Sequence, residues 1–461
     1  MAGPDKETRM SITRRDFVKM AAAGAAGWAA AGGGARRAAA EGARVRGAND
    51  RVRVGILGFS DRCRSSLLPP FLAFAKELNF EIVGVADLWS RRRAEGVAFL
   101  KEKTGLGVTA ARNAEELYEK VGVDAVIIST ADFQHALLLA DAVRAKCDAY
   151  VEKPFAETMA DARAALAAVR ASGRIVQVGS QRRSGTNYQA AFEYLKSGQF
   201  GPITMVEMSW NVNQPGRWRR PELVAALKEA DTDWKRYLLN RPFEPWDPRK
   251  YLEYRLFWPY SSGIPGQWMC HQIDTVHWFT GLPHPRSVAA NGGIYGWKDG
   301  RRNADTLTAV FDYGPLDDPT TGFQVVYSSR MHNSAGGVKE YYFSNGGKLD
   351  LDKNVVTSEG GLTEGSAAEM GLKANLLAEF KLPEAKVDTA ADTGSDPMTS
   401  SHVRNWMECV RGRRTPNADA TAGYRHAIAC AMTTAAFRTG MRATFDEATQ
   451  EVMTGGKVFQ Y

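Results

Sequence analysis

Cysteine is scarce in this sequence. The five cysteines (63, 147, 270, 409 and 430) are scattered, odd in number and form no C-x-x-C pair. That pattern argues against a disulfide scaffold and a thiolate zinc site, and leaves them as core residues. Long apolar runs are also missing. The nearest approach, Met20 to Gly34, is rich in Ala and Gly and too short for a membrane span. No long basic run occurs either. The net charge is +7, but seven Lys/Arg and three acids within residues 1–40 supply +4 and leave +3 for the rest. That distribution argues against nucleic acid as a partner. No internal repeat is visible. What remains is 44% hydrophobic and 24% charged, as in an ordinary soluble globular protein, and 461 residues suggest two or three domains.

The charge-rich N-terminus has its own logic. Ser11-Ile-Thr-Arg-Arg-Asp-Phe-Val-Lys19 precedes the Ala/Gly-rich stretch, and Ala38-Ala39-Ala40 offers a small-residue cleavage site. This order resembles a twin-arginine (Tat) export signal, an address read by a receptor and not an anchor. The expectation is an exported protein, periplasmic or beyond, with the Tat machinery as a transient partner. Residues 1–40 are then outside the fold, and 41–50 form a polar linker.

From Val52 the pattern alternates. Val52–Leu57, Glu81–Ala86, Ala125–Ser129, Ala149–Val151 and Ile175–Val178 are short buried strands. Leu67–Leu78, Ala114–Val121 and Met159–Ala171 read as helices between them. Alternation of this kind predicts a parallel, doubly wound sheet at 51–178. From Ile203 the character changes. Alternating segments at 203–212, 287–295, 305–313, 323–329 and 340–344, with a turn at Asn345-Gly346-Gly347 into Lys348–Leu351, predict a largely antiparallel sheet within 179–400. Residues 352–400 read as loop. Helices at Ser401–Gly412 and Ala422–Thr439 close the chain in a segment, 401–461, that returns to the first domain. The fold class is therefore α/β: a Rossmann domain followed by an α/β domain on an open, largely antiparallel sheet.

The first βα turn reads Gly55-Ile-Leu-Gly58-Phe-Ser60-Asp-Arg-Cys63. Of the G-x-G-x-x-G dinucleotide fingerprint only the first glycine survives, as Gly58; Ser60 and Cys63 take the other two places. Ser60 is small enough to let a pyrophosphate approach, and Arg62 and Arg64 could add positive charge there. Asp87 ends the second strand, where a carboxylate can accept from both ribose hydroxyls. An acid here favours NAD over NADP. Arg91-Arg92-Arg93 is either a holder for a 2′-phosphate or a solvated first turn.

Further motifs follow the later strands: Ser129-Thr130-Ala131 with His135, Glu152-Lys153-Pro154, and Val178-Gly-Ser-Gln-Arg182. With Gly293-Ile-Tyr-Gly-Trp-Lys-Asp-Gly300 and Asn405-Trp-Met-Glu-Cys-Val410, this ordered set, from Val52 to about Phe445, resembles the Gfo/Idh/MocA oxidoreductase family. The resemblance implies assembly into a homo-oligomer through the C-terminal sheet. It implies cofactor contacts at Gly58, Ser60, Asp61, Arg62, Asp87, Ser129, Thr130, His135, Glu152, Lys153 and Gln181, with Lys153 between nicotinamide and substrate. Family members commonly carry an Asp and a His four residues apart on the helix facing the nicotinamide. Here those positions are Gln267 and His271, so the missing carboxylate and the missing glycines are the two departures.

The stretch Gly266-Gln-Trp-Met-Cys-His-Gln-Ile-Asp-Thr-Val-His-Trp278 also contains H-x-x-D-x-x-H, a spacing open to metal ligands. At about 100° per residue, Gln267, His271, Asp274 and Trp278 fall on one stripe of a helix and His277 falls away from it. That spread argues against a shared metal. It leaves two readings: His271 as base, with Asp274 holding its imidazole, or both as satisfied interface partners. Six tryptophans lie between Trp210 and Trp268, interleaved with tyrosines and arginines. They are either a platform for sugar C–H faces or the core of a long insertion. The expected function is hydride transfer at a carbinol of a small carbohydrate or polyol, using NAD or NADP. Lys153, His271, Gln267 and Asp274 are the catalytic candidates. Two alternatives stay open: a glycoside hydrolase working by oxidation and elimination, and a non-catalytic sugar-binding protein.

Overall fold

A computed structural model describes residues 50–461 apart from Pro215, Arg217, Pro319 and residues 385–395. The expected export signal at 1–40, and all but the last residue of the 41–50 linker, lie outside the described residues.

Six strands build the first sheet: β1 (Val52–Leu57), β2 (Phe80–Ala86), β3 (Thr109–Ala111), β4 (Ala125–Ile128), β5 (Asp148–Val151) and β6 (Val176–Val178). Their order is β3-β2-β1-β4-β5-β6, and each adjacent pair is parallel. These strands are aliphatic runs because both sheet faces are covered. On one face Leu68–Leu78 packs beside the returning helix Pro397–Gly412. Trp406 of that helix sits 6.4, 6.3 and 5.9 Å from the rings of Phe71, Phe80 and Tyr150. The helix Leu68–Leu78 starts with prolines in its first turn and stops at Asn79, which turns left-handed at φ 57°. On the other face lie His135–Arg144 and Met159–Ser172, the latter capped by Thr158, whose side chain accepts from Asp161 N. Strand order reverses between β1 and β4, and a crevice opens there above their C-terminal ends.

The second sheet has 11 strands. They are β7 (Ile203–Asn211), β8 (Ser287–Gly293), β9 (Thr306–Tyr313), β10 (Phe323–Arg330), β11 (Val338–Ser344), β12 (Gly347–Asp350), β13 (Val355–Thr357), β14 (Phe380–Lys381), β15 (Ala443–Asp446), β16 (Glu451–Thr454) and β17 (Lys457–Val458). The order is β14-β13-β12-β11-β7-β10-β9-β8-β15-β16-β17. Only the central β7/β10 pair is parallel among the described ladders. One face carries the helices Thr186–Lys196, Cys270–Thr280 and Ala420–Thr439. Along β9 buried residues alternate with half-buried or exposed ones, so the opposite face is open.

Three differences from the sequence reading have physical causes. Helix Ser90–Thr104 escapes a hydrophobic-period search because it buries only Gly96 and Leu100 under a charged surface. Residues 352–400 are not all loop: β13, β14, the short helix Glu364–Glu369 and the start of Pro397–Gly412 lie within them. β15–β17 extend the sheet edge after the last helix, in strands of two to four residues that are too short to show a period.

Candidate active site

The crevice above β1 and β4 widens into a cleft of about 910 Å³ that runs from Asp87 at one end to Trp210 and His271 at the other. Its floor begins at Gly58, where φ is +85°. A Cβ there would stand 2.9 Å from Thr130 Cγ2 and 3.1 Å from Ser129 O, so only glycine lets the two turns touch. Ser129 Oγ donates to Gly58 O at 2.8 Å and fixes them together. Cys63 replaces the last fingerprint glycine by a local change of helix. Cys63–Leu67 is a π-helical turn, Cys63 N donates to Ser60 Oγ at 3.2 Å, and the Cys63 side chain is carried into the core.

Asp87 closes β2. Its carboxylate accepts from Phe59 N and Trp89 N, both at 2.9 Å, and burial pushes its pKa up. Each oxygen keeps a lone pair for a ribose hydroxyl. The three arginines beyond it are spoken for. Arg92 reaches Asp61 (3.0 Å) and Glu95 (3.1 Å), Arg91 also pairs with Glu95 (2.8 Å), and Arg93 donates to Asp87 O (2.6 Å). Arg62 does not stand free for a phosphate, since its Nε donates to buried Glu152 at 2.8 Å. Burial alone would raise the Glu152 pKa, but Arg62 and Lys153 hold it below the usual range. The pair ties the turn after β1 to the turn after β5. His135 was expected at the cofactor, and the structure assigns it another task. It lines the cleft wall, with Nδ1 facing Pro154 O (2.9 Å) and Nε2 facing Thr130 O (3.3 Å); burial lowers its pKa, so the single N–H of the neutral ring donates to one of these carbonyls and the ring bridges the β4 and β5 turns.

A nicotinamide dinucleotide fits what remains. Gly58 and Ser60 leave the first turn open, Asp87 stands at the ribose position, and two buried acceptors have no partner among the described residues: Thr130 Oγ1 and Gln181 Oε1.

At the far end Lys153 Nζ donates to the backbone carbonyl of Gln267 at 2.6 Å, and burial lowers its pKa. Gln267 and His271 both line the cleft. The Gln267 side chain is engaged at both ends: Oε1 accepts from Arg255 Nε at 2.7 Å, and Nε2 donates to Asp132. It therefore positions those groups, and its side chain is not free to act as the catalytic candidate it was expected to be. The His271 ring stacks on Trp210, with centroids 5.7 Å apart. Burial, followed by the charges of Lys153 and Arg182, keeps its pKa well below the ordinary value, so it is a neutral imidazole at pH 7.

Asp274 is a correction. It is completely buried and does not reach the cleft. Arg183 holds it by two bonds, 2.7 and 3.0 Å, and His426 Nδ1 stands 3.8 Å away. The backbone N–H of Phe155 donates to His426 Nε2, which puts the ring proton on Nδ1, facing Asp274. Burial would raise the Asp274 pKa, but Arg183 and His426 hold it well below the carboxylate range. Within the α-helix Cys270–Thr280, Asp274 lies about 60° round from His271, enough to turn it from the cleft into the interior, where Arg183 meets it. His277 bonds Tyr313 OH at 2.7 Å, away from both.

The aromatic insertion divides between core and cleft wall. Phe133, Tyr237 and Tyr260 pack edge-to-face at 5.4 Å as core, with Trp234 stacked on Tyr237 at 5.3 Å. Trp210, Trp218 and Trp268 instead line the cleft, with the rings of Trp210 and Trp268 stacked nearly parallel, 5° between their planes and 6.1 Å between centroids. Asp132 and Arg255 were missed in the sequence. Neither belongs to a motif, and only the fold brings them to Gln267.

Residues 52–180 match the GFO_IDH_MocA oxidoreductase family, NAD-binding Rossmann fold. The match covers the first domain alone. Relatives of the chain include 1,5-anhydro-D-fructose reductase of Ensifer adhaerens, 27% identical over 41% of this chain and 56% of that protein. Inositol 2-dehydrogenase of Rubrobacter xylanophilus is 31% identical over 37% of this chain and 48% of that protein. The chain spans about half the length of the curated relatives it matches. Solved structures extend the likeness of fold over both domains. The WlbA dehydrogenase of Bordetella pertussis, in complex with NADH and UDP-GlcNAcA, gives a TM-score of 0.61 at 16% identity over 86% of this chain and 99% of that one. A levoglucosan dehydrogenase in complex with NADH and levoglucosan also gives 0.61, at 12% identity and the same coverage.

Proposed function

We propose that this protein is an NAD-dependent dehydrogenase acting on a ring carbinol of a sugar or cyclitol. The observation that carries the reading is the single cleft that joins a dinucleotide crevice to Lys153 and His271. The relatives named for anhydrofructose, inositol and levoglucosan chemistry support the substrate class. NAD bound in the crevice would supply the hydride acceptor, and Gly58, Ser60, Asp87, Thr130 and Gln181 would hold it. The chain's own part is proton handling and placement. The neutral His271 imidazole takes the hydroxyl proton as hydride leaves carbon. Lys153 donates a hydrogen bond to the same oxygen and steadies its developing negative charge. Trp210, Trp218 and Trp268 present apolar faces to the ring and exclude water. Gln267 keeps Arg255 in place and, through its carbonyl, aims Lys153. The test is NADH formation at 340 nm from NAD with a panel of inositols, aldoses and anhydrosugars. Binding of such sugars without any nicotinamide reduction would instead favour a non-catalytic binding protein.

Export through the Tat route is part of the same proposal. Away from the cytoplasmic nicotinamide pool, an exported dehydrogenase keeps its cofactor tightly bound and needs a second substrate to reset it. Arg14→Lys with Arg15→Lys should hold the protein inside the cell, and unchanged export refutes that part. Homo-oligomer assembly through the open sheet face is tested by molecular mass in solution before and after Val310→Glu, a substitution at an exposed position of β9.

A further inference from the structure

Other arginines that line the cleft are matched: Arg62 pairs with Glu152 at 2.8 Å, Arg92 with Asp61 at 3.0 Å and Arg236 with Glu115 at 2.6 Å. Arg255 is different. Its Nε is spent on the neutral amide oxygen of Gln267, at 2.7 Å. Among the described residues neither Nη1 nor Nη2 has a hydrogen-bond acceptor or a carboxylate at ion-pair distance. The guanidinium is half-buried, lines the cleft, and lies flat over the Tyr254 ring at 4.6 Å from its centre. A planar fork held by its Nε and its face, with its outer edge open, is the geometry that takes a two-oxygen anion.

The charge around it points the same way. Lys153 is a second cation on the other side of Gln267, bound to that residue's backbone carbonyl. Asp132 is the carboxylate nearest the pair in the bonding network, and it is reached only through the Gln267 amide. Glu152 also acts on both cations but is paired with Arg62 at 2.8 Å, so three cations, Lys153, Arg255 and Arg62, share two carboxylates, Asp132 and Glu152. A half-buried, unbonded guanidinium edge is costly unless something anionic completes it. The Trp210–Trp268 platform lies in the same cleft and gives the ring of the ligand an apolar surface.

We propose that the substrate is an anionic carbohydrate, whose acid group is held by the Nη edge of Arg255 while the hydroxyl to be oxidised sits at Lys153 and His271. This rests on the dehydrogenase reading for the hydroxyl and on Arg255 alone for the acid. The ligand carries a carboxylate, as in a sugar acid, or a phosphate, and the guanidinium fork serves both.

The test is binding, read by tryptophan fluorescence and calorimetry on the full-length mature protein loaded with NADH, so that no turnover is needed. D-glucuronate and D-galacturonate form one arm, glucose 6-phosphate a second, and D-glucose with myo-inositol a neutral third. One anionic arm should bind at least roughly tenfold more tightly than the neutral arm, as expected for a charge-assisted bidentate contact. Which anion wins separates sugar acid from sugar phosphate. Arg255→Met should abolish that preference, read as the ratio of anionic to neutral affinity within the same variant. Arg255→Lys, which keeps the charge but not the fork, should restore only part of it. Equal affinity of the wild type for all three arms overturns the proposal, and so does a preference that survives Arg255→Met. The wild-type arms decide the matter even if a variant fails to fold. A protein that binds sugar acids yet transfers no hydride loses the dehydrogenase reading and keeps this one. A protein that oxidises neutral polyols without preference loses only this one.

Discussion

Replacing Asp274 separates a structural carboxylate from a catalytic one. Asp274→Ala removes the acceptor of two Arg183 bonds, at 2.7 and 3.0 Å, and the carboxylate that faces His426. Arg183 is 9% exposed and cannot turn to water without disturbing the Arg182–Gly185 segment next to it. Breaking a buried pair on one side leaves an uncompensated charge and costs about 3–5 kcal/mol. The loss should appear as a lower urea midpoint with an unchanged denaturant slope. Removing both charges, as Arg183→Met with Asp274→Leu, should recover most of it, because the desolvation of each ion then disappears as well. The folded pKa of Asp274 is depressed, so its contribution is full above about pH 4 and fades as pH falls further. The acid limb of stability should therefore flatten in Asp274→Ala. At temperatures where the variant is folded, turnover should stay within a few-fold of wild type. A variant of normal stability with turnover reduced 10²-fold or more would refute this and return Asp274 to the role of orienting His271.

The remaining expectations are more direct. His271→Ala should lose roughly 10²–10⁴-fold in turnover, the usual span for a general base, and Lys153→Ala at least as much. NADH fluorescence should show the cofactor still bound in both. Because burial keeps His271 neutral, kcat/KM should not begin to fall at pH 6.5; an acid limb centred there would mean that the imidazole titrates normally. Gly58→Ala forces a side chain into φ +85° and against Thr130, which should cost about 1–2 kcal/mol in strain and weaken NAD binding; unchanged affinity would remove the turn from the cofactor site. Burial pushes His277 down to about 3 and His402 to about 4. Their unfolded forms titrate near 6.5, so stability is full above that value and falls as pH drops below it. Urea midpoints measured from pH 8 to pH 5 check the trend.

The sequence by itself determined the parts whose physics is local. Aliphatic runs alternating with helices can only be covered on both faces, so β1, β2, β4, β5 and β6 were legible, as was the change to alternating strands after Ile203. Gly58, Asp87 and Lys153 were legible because each ends or follows a strand at the crevice, where position in the chain fixes position in space. Tertiary structure decided everything that depends on partners far along the chain. Asp274 and His271 are one turn apart, yet Arg183 and His426, brought in by other segments, claim Asp274 for the interior. Gln267 stands among the catalytic candidates by its place in the motif, but Arg255 and Asp132 occupy the two ends of its side chain. His135 became a clamp because two carbonyls from separate turns meet its ring. A side chain's polarity is written in the sequence; which neighbour satisfies it is set only when distant segments pack.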